Sequence, residues 1–131
     1  MDHIADRLAI RELYGDYAVA AAQQDATAWL ACWTADARWK TPHFDLSGAS
    51  ALGAAFQGTW SMFKSVVAFN EVGTIALDGD TATATGLVTE FMEPVGGGSL
   101  RMVGRYADAL RRDDTGWKFA AREYTLISQA A

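Results

Sequence analysis

The hydrophobic pattern of this chain changes period at Ser65, and that change restricts the fold more than any other feature. Before it, Ile10, Leu13, Tyr14, Tyr17, Ala18 and Ala21 recur at the i, i+3, i+4, i+7, i+8, i+11 spacing that lays one apolar stripe along a helix. This predicts a helix over Ile4 to Gln24, with Arg7, Arg11, Glu12 and Asp16 mostly off the stripe and Asp2 as its cap. A second, short helix is predicted over Ala26 to Trp33, capped by Asp25, with Trp29 and Trp33 on one face. A strand over Ala37 to Thr41 stops at Pro42, because the residue before a proline is pushed to extended geometry. Pro42 to Ser47 reads as a loop, and Leu52, Ala55, Phe56, Thr59, Trp60 and Phe63 mark a third helix over Gly48 to Phe63.

After Ser65 the period is two. Strands are predicted over Ser65 to Leu77 and Thr81 to Glu93, joined by Asp78-Gly79, a strong hairpin signal. The glycine-bearing connection from Pro94 to Ser99 leads into a second hairpin, Leu100 to Arg112 and Trp117 to Ser128, around a short polar turn ending in Gly116. Helices followed by long antiparallel strands predict an α+β fold in which a curved sheet packs against the long first helix. Such a sheet leaves space at its open end, where pockets form. With 131 residues, one domain over residues 1–131 is expected.

Alternation also assigns faces. Thr81, Thr83, Thr85 and Thr89 form a solvated row, which turns Ala82, Ala84, Gly86, Val88, Glu90 and Met92 inward. On the next strand Arg101, Arg105 and Arg111 face out, and Leu100, Met102, Gly104, Tyr106 and Leu110 face in. Glu90 stands alone among apolar neighbours. Burial of a carboxylate raises its pKa toward that of a general base, so Glu90 reads as a catalytic base, or else as a rim residue or the partner of Arg122 in a structural pair. Arg122 reads either as an oxyanion holder or as half of a structural pair with Glu90 or Asp108. Asp108 shares the Tyr106 face but lies toward the turn, where a solvated or structural role is expected. Tyr17, Tyr106 and Tyr124 are candidate hydroxyl donors, or core residues with one satisfied hydroxyl. His43, one of two histidines, is a candidate base on its loop beside Pro42 and Asp45, or an exposed loop residue. Tyr14 reads as core, and Asp36 as a turn or cap residue. Leu87, Phe91, Val103 and Ala109 on the outer face suit contact with another copy, so a homodimer or homotrimer is expected.

Composition narrows the partners. Net charge is −5 with no basic run, which argues against nucleic acid. Five tryptophans, six phenylalanines and four tyrosines suit an apolar cavity for a small organic molecule. No apolar run reaches the about 18 residues of a membrane span. Met1-Asp2-His3 lacks a charged or apolar leader pattern, and the single Cys32 cannot form an intrachain disulfide, so a cytoplasmic location is expected. No Cys/His cluster has metal spacing and no glycine-rich phosphate motif appears; no cofactor is expected.

Four segments in order resemble the SnoaL-like families of the nuclear transport factor 2-like superfamily: Asp6 to Tyr14, Trp33 to Trp39, Leu77 to Ala82 and Tyr106 to Lys118. The resemblance implies a cone-shaped sheet around an apolar cavity, often dimeric or trimeric, and relatives that include polyketide cyclases, dehydratases, a dehydrochlorinase, ketosteroid isomerases and epoxide hydrolases. Most need no cofactor. The dehydratase and dehydrochlorinase members carry an aspartate late in the first helix and a histidine at the start of the long strand; here Ala22 and Val66 stand there, so the dyad is missing. The resemblance keeps Tyr17 and Arg122 as site positions and places Trp39, Val88, Glu90, Met102, Gly104, Tyr106 and Tyr124 on the pocket wall; Phe63 and Val66 join Trp39, Val88, Met102 and Gly104 as candidate substrate-binding residues. It implies an enzyme of lyase, dehydratase, isomerase or cyclase type that moves a proton on an apolar cyclic or aromatic molecule. Epoxide hydrolysis by activated water, and a non-catalytic small-molecule-binding module, stay open as alternatives.

Overall fold

The computed structural model describes residues 3–131. Three helices, α1 (Ile4–Ala22), α2 (Ala26–Leu30) and α3 (Ala49–Met62), accompany six strands: β1 (Trp33–Lys40), β2 (Asp45–Ser47), β3 (Phe63–Asp78), β4 (Thr81–Pro94), β5 (Leu100–Asp113) and β6 (Gly116–Ala130). The strands form one sheet in the order β2-β1-β6-β5-β4-β3. Only the β1–β6 pair is parallel, so the sheet is mixed. The fold is α+β, with an N-terminal helix against a curved, unclosed sheet. Among the described residues no helix is long and apolar enough to cross a membrane.

Local chemistry sets the boundaries. Asp25 caps α2, its carboxylate accepting from the Ala28 N–H at 3.1 Å. Asp2, the expected cap of α1, lies outside the described residues; His3 occupies the cap position and makes no side-chain cap bond. The 3.6-residue stripe buries Ile10, Leu13 and Tyr14 against the sheet. Arg7 and Arg11, off that stripe, donate to the Ile75 and Val72 carbonyls at 2.8 and 3.2 Å, so α1 grips the edge strand β3. Gly79 closes the β3–β4 hairpin at φ 60°, a backbone conformation that a side chain disfavours.

Two boundaries differ from expectation. The chain leaves α2 after Leu30, and Trp33 opens β1 instead of ending a helix. Trp29 and Trp33 still pack, with ring centroids 5.4 Å apart, so their spacing reflected a contact across a turn and not a continuous helix. The expected loop over Pro42 to Ser47 contains β2, which pairs with β1 from Arg38 to Lys40. Asp36, expected in a turn, lies within β1 and pairs with Arg111 at 2.8 Å.

The main core lies between α1, the α2–α3 pair and the concave sheet face, and includes Trp29, Trp33, Leu52, Phe56, Ile75, Leu110 and Phe119. A smaller cluster of Val88, Tyr106 and Tyr124 continues it toward the far end of β4 and β5.

Candidate functional site

The inward alternation of β4 and β5 holds. Ala82, Ala84, Val88 and Met92 are buried along one, and Gly104, Tyr106, Asp108 and Leu110 along the other. Their concave face, roofed by the aromatic sides of α1, α2 and α3, encloses a cavity of about 120 Å³. Trp29, Trp39, Phe56 and Trp60 supply aromatic walls, and Tyr17, Glu90, Tyr106 and Arg122 supply polar groups.

Arg122 is the best-held of these. It is 1% exposed, and Asp108, 4% exposed, is its partner: Nε donates to Oδ1 at 2.8 Å and Nη2 to Oδ2 at 3.1 Å. The cause is register. Asp108 and Arg122 are direct cross-strand partners on β5 and β6, so both point inward at one level. The Tyr14 hydroxyl donates a short hydrogen bond to the same Asp108 carboxylate. The guanidinium carbon also lies 3.7 Å from the Tyr106 ring centroid and 4.3 Å from that of Phe119. Only Nη1 has no hydrogen-bond partner. Burial alone would lower the pKa of Arg122, but the Asp108 carboxylate together with Tyr17 and Tyr106 outweighs it and the group stays charged. Of the solvated or structural role expected for Asp108, the structural one holds: it is the buried counter-charge of Arg122.

Glu90 lies elsewhere in the register, opposite Ala68 on β3 and Met102 on β5. It does not form the structural pair with Arg122 that its charge suggested. Burial pushes its carboxyl above the ordinary glutamate range, and the Arg122 charge pulls part of the way back; no hydrogen bond contributes. Burial also pushes the Tyr17 phenol up to about 12 and the Tyr106 phenol well above its usual value. Both are neutral donors at pH 7. The Trp39 indole N–H donates to the Tyr106 hydroxyl oxygen at 3.1 Å, which fixes the oxygen and leaves its own proton to give.

Of the residues expected at the site, Glu90, Arg122, Tyr17, Tyr106, Trp39, Val66 and Val88 line the cavity. Tyr124, Met102, Gly104, Phe63 and His43 do not. Tyr124 is buried behind Tyr106, ring centroids 5.1 Å apart, and its hydroxyl has no protein partner. Gly104 is the seat of that ring: a Cβ there would come within 2.1 Å of Tyr124 Cε2. Met102 packs against the Tyr106 and Tyr124 cluster, and Phe63 opens β3 partly buried. His43 is exposed in the β1–β2 connection, where its backbone N–H donates to Thr41 Oγ1 at 3.1 Å. No histidine lines the cavity, and Ala22 faces a surface groove between α1 and β3 instead. Ala18, Ala21, Thr59, Ala68, Asn70 and Met92 complete the lining. Among the described residues no group of three or more His, Cys, Asp or Glu side chains could hold a metal ion.

Of the two partners expected for Arg122, Asp108 is the one that pairs with it, and one irregularity in the ladder decides this. The β5–β6 ladder slips between Ala109 and Leu110. Counting back from the Asp113–Gly116 turn without that slip sets Ala121, not Arg122, opposite Asp108. The detectable signal is the burial parity of β6, which changes from Trp117 and Phe119 to Arg122 and Tyr124.

A SnoaL-like domain is matched over residues 2–123. No curated protein matches the sequence. Solved structures share the fold. A candidate aromatic ring hydroxylase from Novosphingobium aromaticivorans is 24% identical with a TM-score of 0.93, covering 99% of this chain and 95% of its own. A hexachlorocyclohexane dehydrochlorinase of type 2 is 20% identical with a TM-score of 0.90, covering 98% and 89%. A candidate scytalone dehydratase from Novosphingobium aromaticivorans is 20% identical with a TM-score of 0.87, covering 98% and 88%.

Proposed function

The chain belongs to the SnoaL-like domain family, and we propose that it is a cofactor-independent enzyme of lyase or isomerase type, moving a proton on a small apolar cyclic or aromatic molecule. The observation that carries this reading is Glu90: a carboxylate in an aromatic cavity, raised in pKa and without a hydrogen bond, close enough to a fixed arginine to feel its charge. A carboxylate used only for structure would be paired, as Asp108 is. Two of the structures that share the fold carry the names dehydrochlorinase and dehydratase, both of which denote eliminations.

In this reading the ionised Glu90 takes a proton from the substrate. The electron pair left behind moves toward a substrate oxygen, where negative charge grows. Arg122 Nη1 and the Tyr106 hydroxyl donate to that oxygen, with Tyr17 beside them. The protonated Glu90 then returns the proton at a second position, which is isomerisation, or a leaving group departs, which is elimination. The missing histidine–aspartate dyad is thereby replaced by one carboxylate and one prefixed donor. His43 has no part in this chemistry, being outside the cavity.

The test is exchange of ring-ketone α-protons with deuterated solvent, followed by NMR on cyclohexanone as the probe. The native chain should accelerate exchange. Glu90→Gln should remove most of that rate, by the ~10²- to 10⁴-fold typical of a lost general base. Tyr106→Phe should cost less, because Arg122 and Tyr17 remain as donors. Full exchange in Glu90→Gln overturns the reading. Binding without exchange in the native chain and in Glu90→Gln alike favours a non-catalytic binding module.

A further inference from the structure

The Asp108–Arg122 pair has a consequence for the charge of whatever enters the cavity. An arginine in an apolar pocket is ordinarily a site for an anion. This one is already matched: two of its N–H groups end on Asp108, and four aromatic rings close around it, Tyr106, Phe119, Tyr17 and Tyr14, with centroids from 3.7 to 5.2 Å away. What remains is Nη1, a buried donor without a partner on a residue that lines the cavity, its charge offset by Asp108. The second carboxylate at the cavity acts in the same direction. Glu90 lines the same cavity, so a ligand carboxylate would add a second anion to a low-dielectric space, where two neighbouring carboxyl groups do not both ionise. A ligand carboxylate would lose its water and meet no unpaired cation.

Size narrows the class further. The cavity holds about 120 Å³. An apolar cavity of roughly 150 Å³ accommodates one benzene ring. Trp29, Trp39, Phe56 and Trp60 line it with aromatic surface suited to a single ring.

We propose that Asp108 is a specificity-determining residue: by neutralising Arg122 it makes the cavity select an uncharged single-ring molecule bearing one acceptor oxygen, such as a cyclic ketone or a phenol, and reject carboxylates of the same size. This rests on the cavity being the substrate site, as in the proposed function, but it concerns binding and not turnover. The oxygen sits on Arg122 Nη1 and the ring lies between the tryptophans.

The experiment is isothermal titration calorimetry at pH 8 with cyclohexanone and cyclopentanecarboxylate as probes. The native protein should bind the ketone at least tenfold more tightly. Asp108→Asn keeps an acceptor for Arg122 and removes the counter-charge, so the ratio should fall by tenfold or more. Glu90→Gln should raise carboxylate affinity tenfold or more. The native chain supplies a second measurement that needs no variant to fold: titration in two buffers of different ionisation heat should show about one proton taken up with each carboxylate bound, because it enters as the neutral acid. Equal affinity for the two probes, carboxylate binding without proton uptake, a folded Asp108→Asn with an unchanged ratio, or no measurable binding of either probe overturns the proposal. Intact ketone preference without α-proton exchange would overturn the catalytic reading alone; exchange without the preference would overturn this one alone.

Discussion

At the scale of single residues, half-buried Glu90 and fully buried Arg122 show how two charges are treated differently by one sheet. Arg122 meets its counter-charge because the β5–β6 register delivers Asp108 opposite it. Glu90 meets Ala68 and Met102, and burial raises its pKa. The sign of the pH effect follows. With the folded pKa above the unfolded one, the folded state binds more protons across the window that opens upward from the ordinary glutamate range. Stability linked to Glu90 is present below that window and is lost as pH rises through it. Glu90→Gln removes the ionisable group, so the variant should melt above the native protein at pH 8 and level with it at pH 4, by thermal unfolding at both. A structural pair with Arg122 would give the opposite result, a lower melting temperature at pH 8. The inward placement of Glu90, Tyr106 and Val88 was readable, because a row of threonines and a row of arginines mark the other face. The partner of Arg122 was readable only as far as Glu90 or Asp108, because one slip between Ala109 and Leu110 changes which residue stands opposite. The retreat of Tyr124 was not readable, because it depends on the ring fitting over Gly104 at a distance no pattern of polar and apolar letters encodes.

At the scale of elements, periodicity carried most of the architecture: α1, α3, β3, β4, β5 and β6 begin and end within about two residues of their expected bounds. The exceptions are β1, which starts four residues before its expected Ala37, and two short elements. Five residues of α2 and three of β2 are too few for a period to declare itself, and their pairings are tertiary. The parallel β1–β6 pair joins segments from opposite ends of the chain, and no local signal announces it. The short α2 holds because Trp29, 1% exposed, stacks on Phe56 of α3 with centroids 4.6 Å apart and touches Trp33 and Trp39 of β1. It is thus a hinge pin between two helices and the sheet, and also a cavity wall. Trp29→Ala should cost about 3–5 kcal/mol, the usual range for deleting a buried tryptophan, read as a lower midpoint in urea denaturation. A loss below about 1 kcal/mol would mean that α2 and α3 pack independently of it.

At the scale of the whole molecule, the outer face of the sheet is the feature that one copy leaves uncovered. Leu87 and Phe91 are each 50% exposed, and Val67 and Phe69 extend the patch onto β3, with the Phe69 and Phe91 rings 6.2 Å apart. Val103 and Ala109, expected on the same face, are partly buried among their neighbours. A contiguous apolar patch with a charged rim is the usual mark of a protein contact. The rim is self-complementary. Across one row the register runs Glu71, Leu87, Arg105. A second copy laid face to face about a two-fold axis along β4 sets Leu87 on Leu87 and Phe91 on Phe91, and it brings each Arg105 over the Glu71 of the other copy. Sheets packed in this way stand about 10 Å apart, within reach of an arginine and a glutamate. We therefore expect a homodimer in light scattering at micromolar concentration, which Phe91→Glu converts to a monomer. Arg105→Glu should weaken it by placing two acidic groups together, and adding Glu71→Arg should restore it, because the swap rebuilds both pairs with reversed polarity. That rescue is specific to a two-fold contact of this face with itself. A trimer joined by two different surfaces would be weakened by each substitution and not rescued by both, and a native chain that scatters as a monomer at high concentration would show the face to be uncovered in solution.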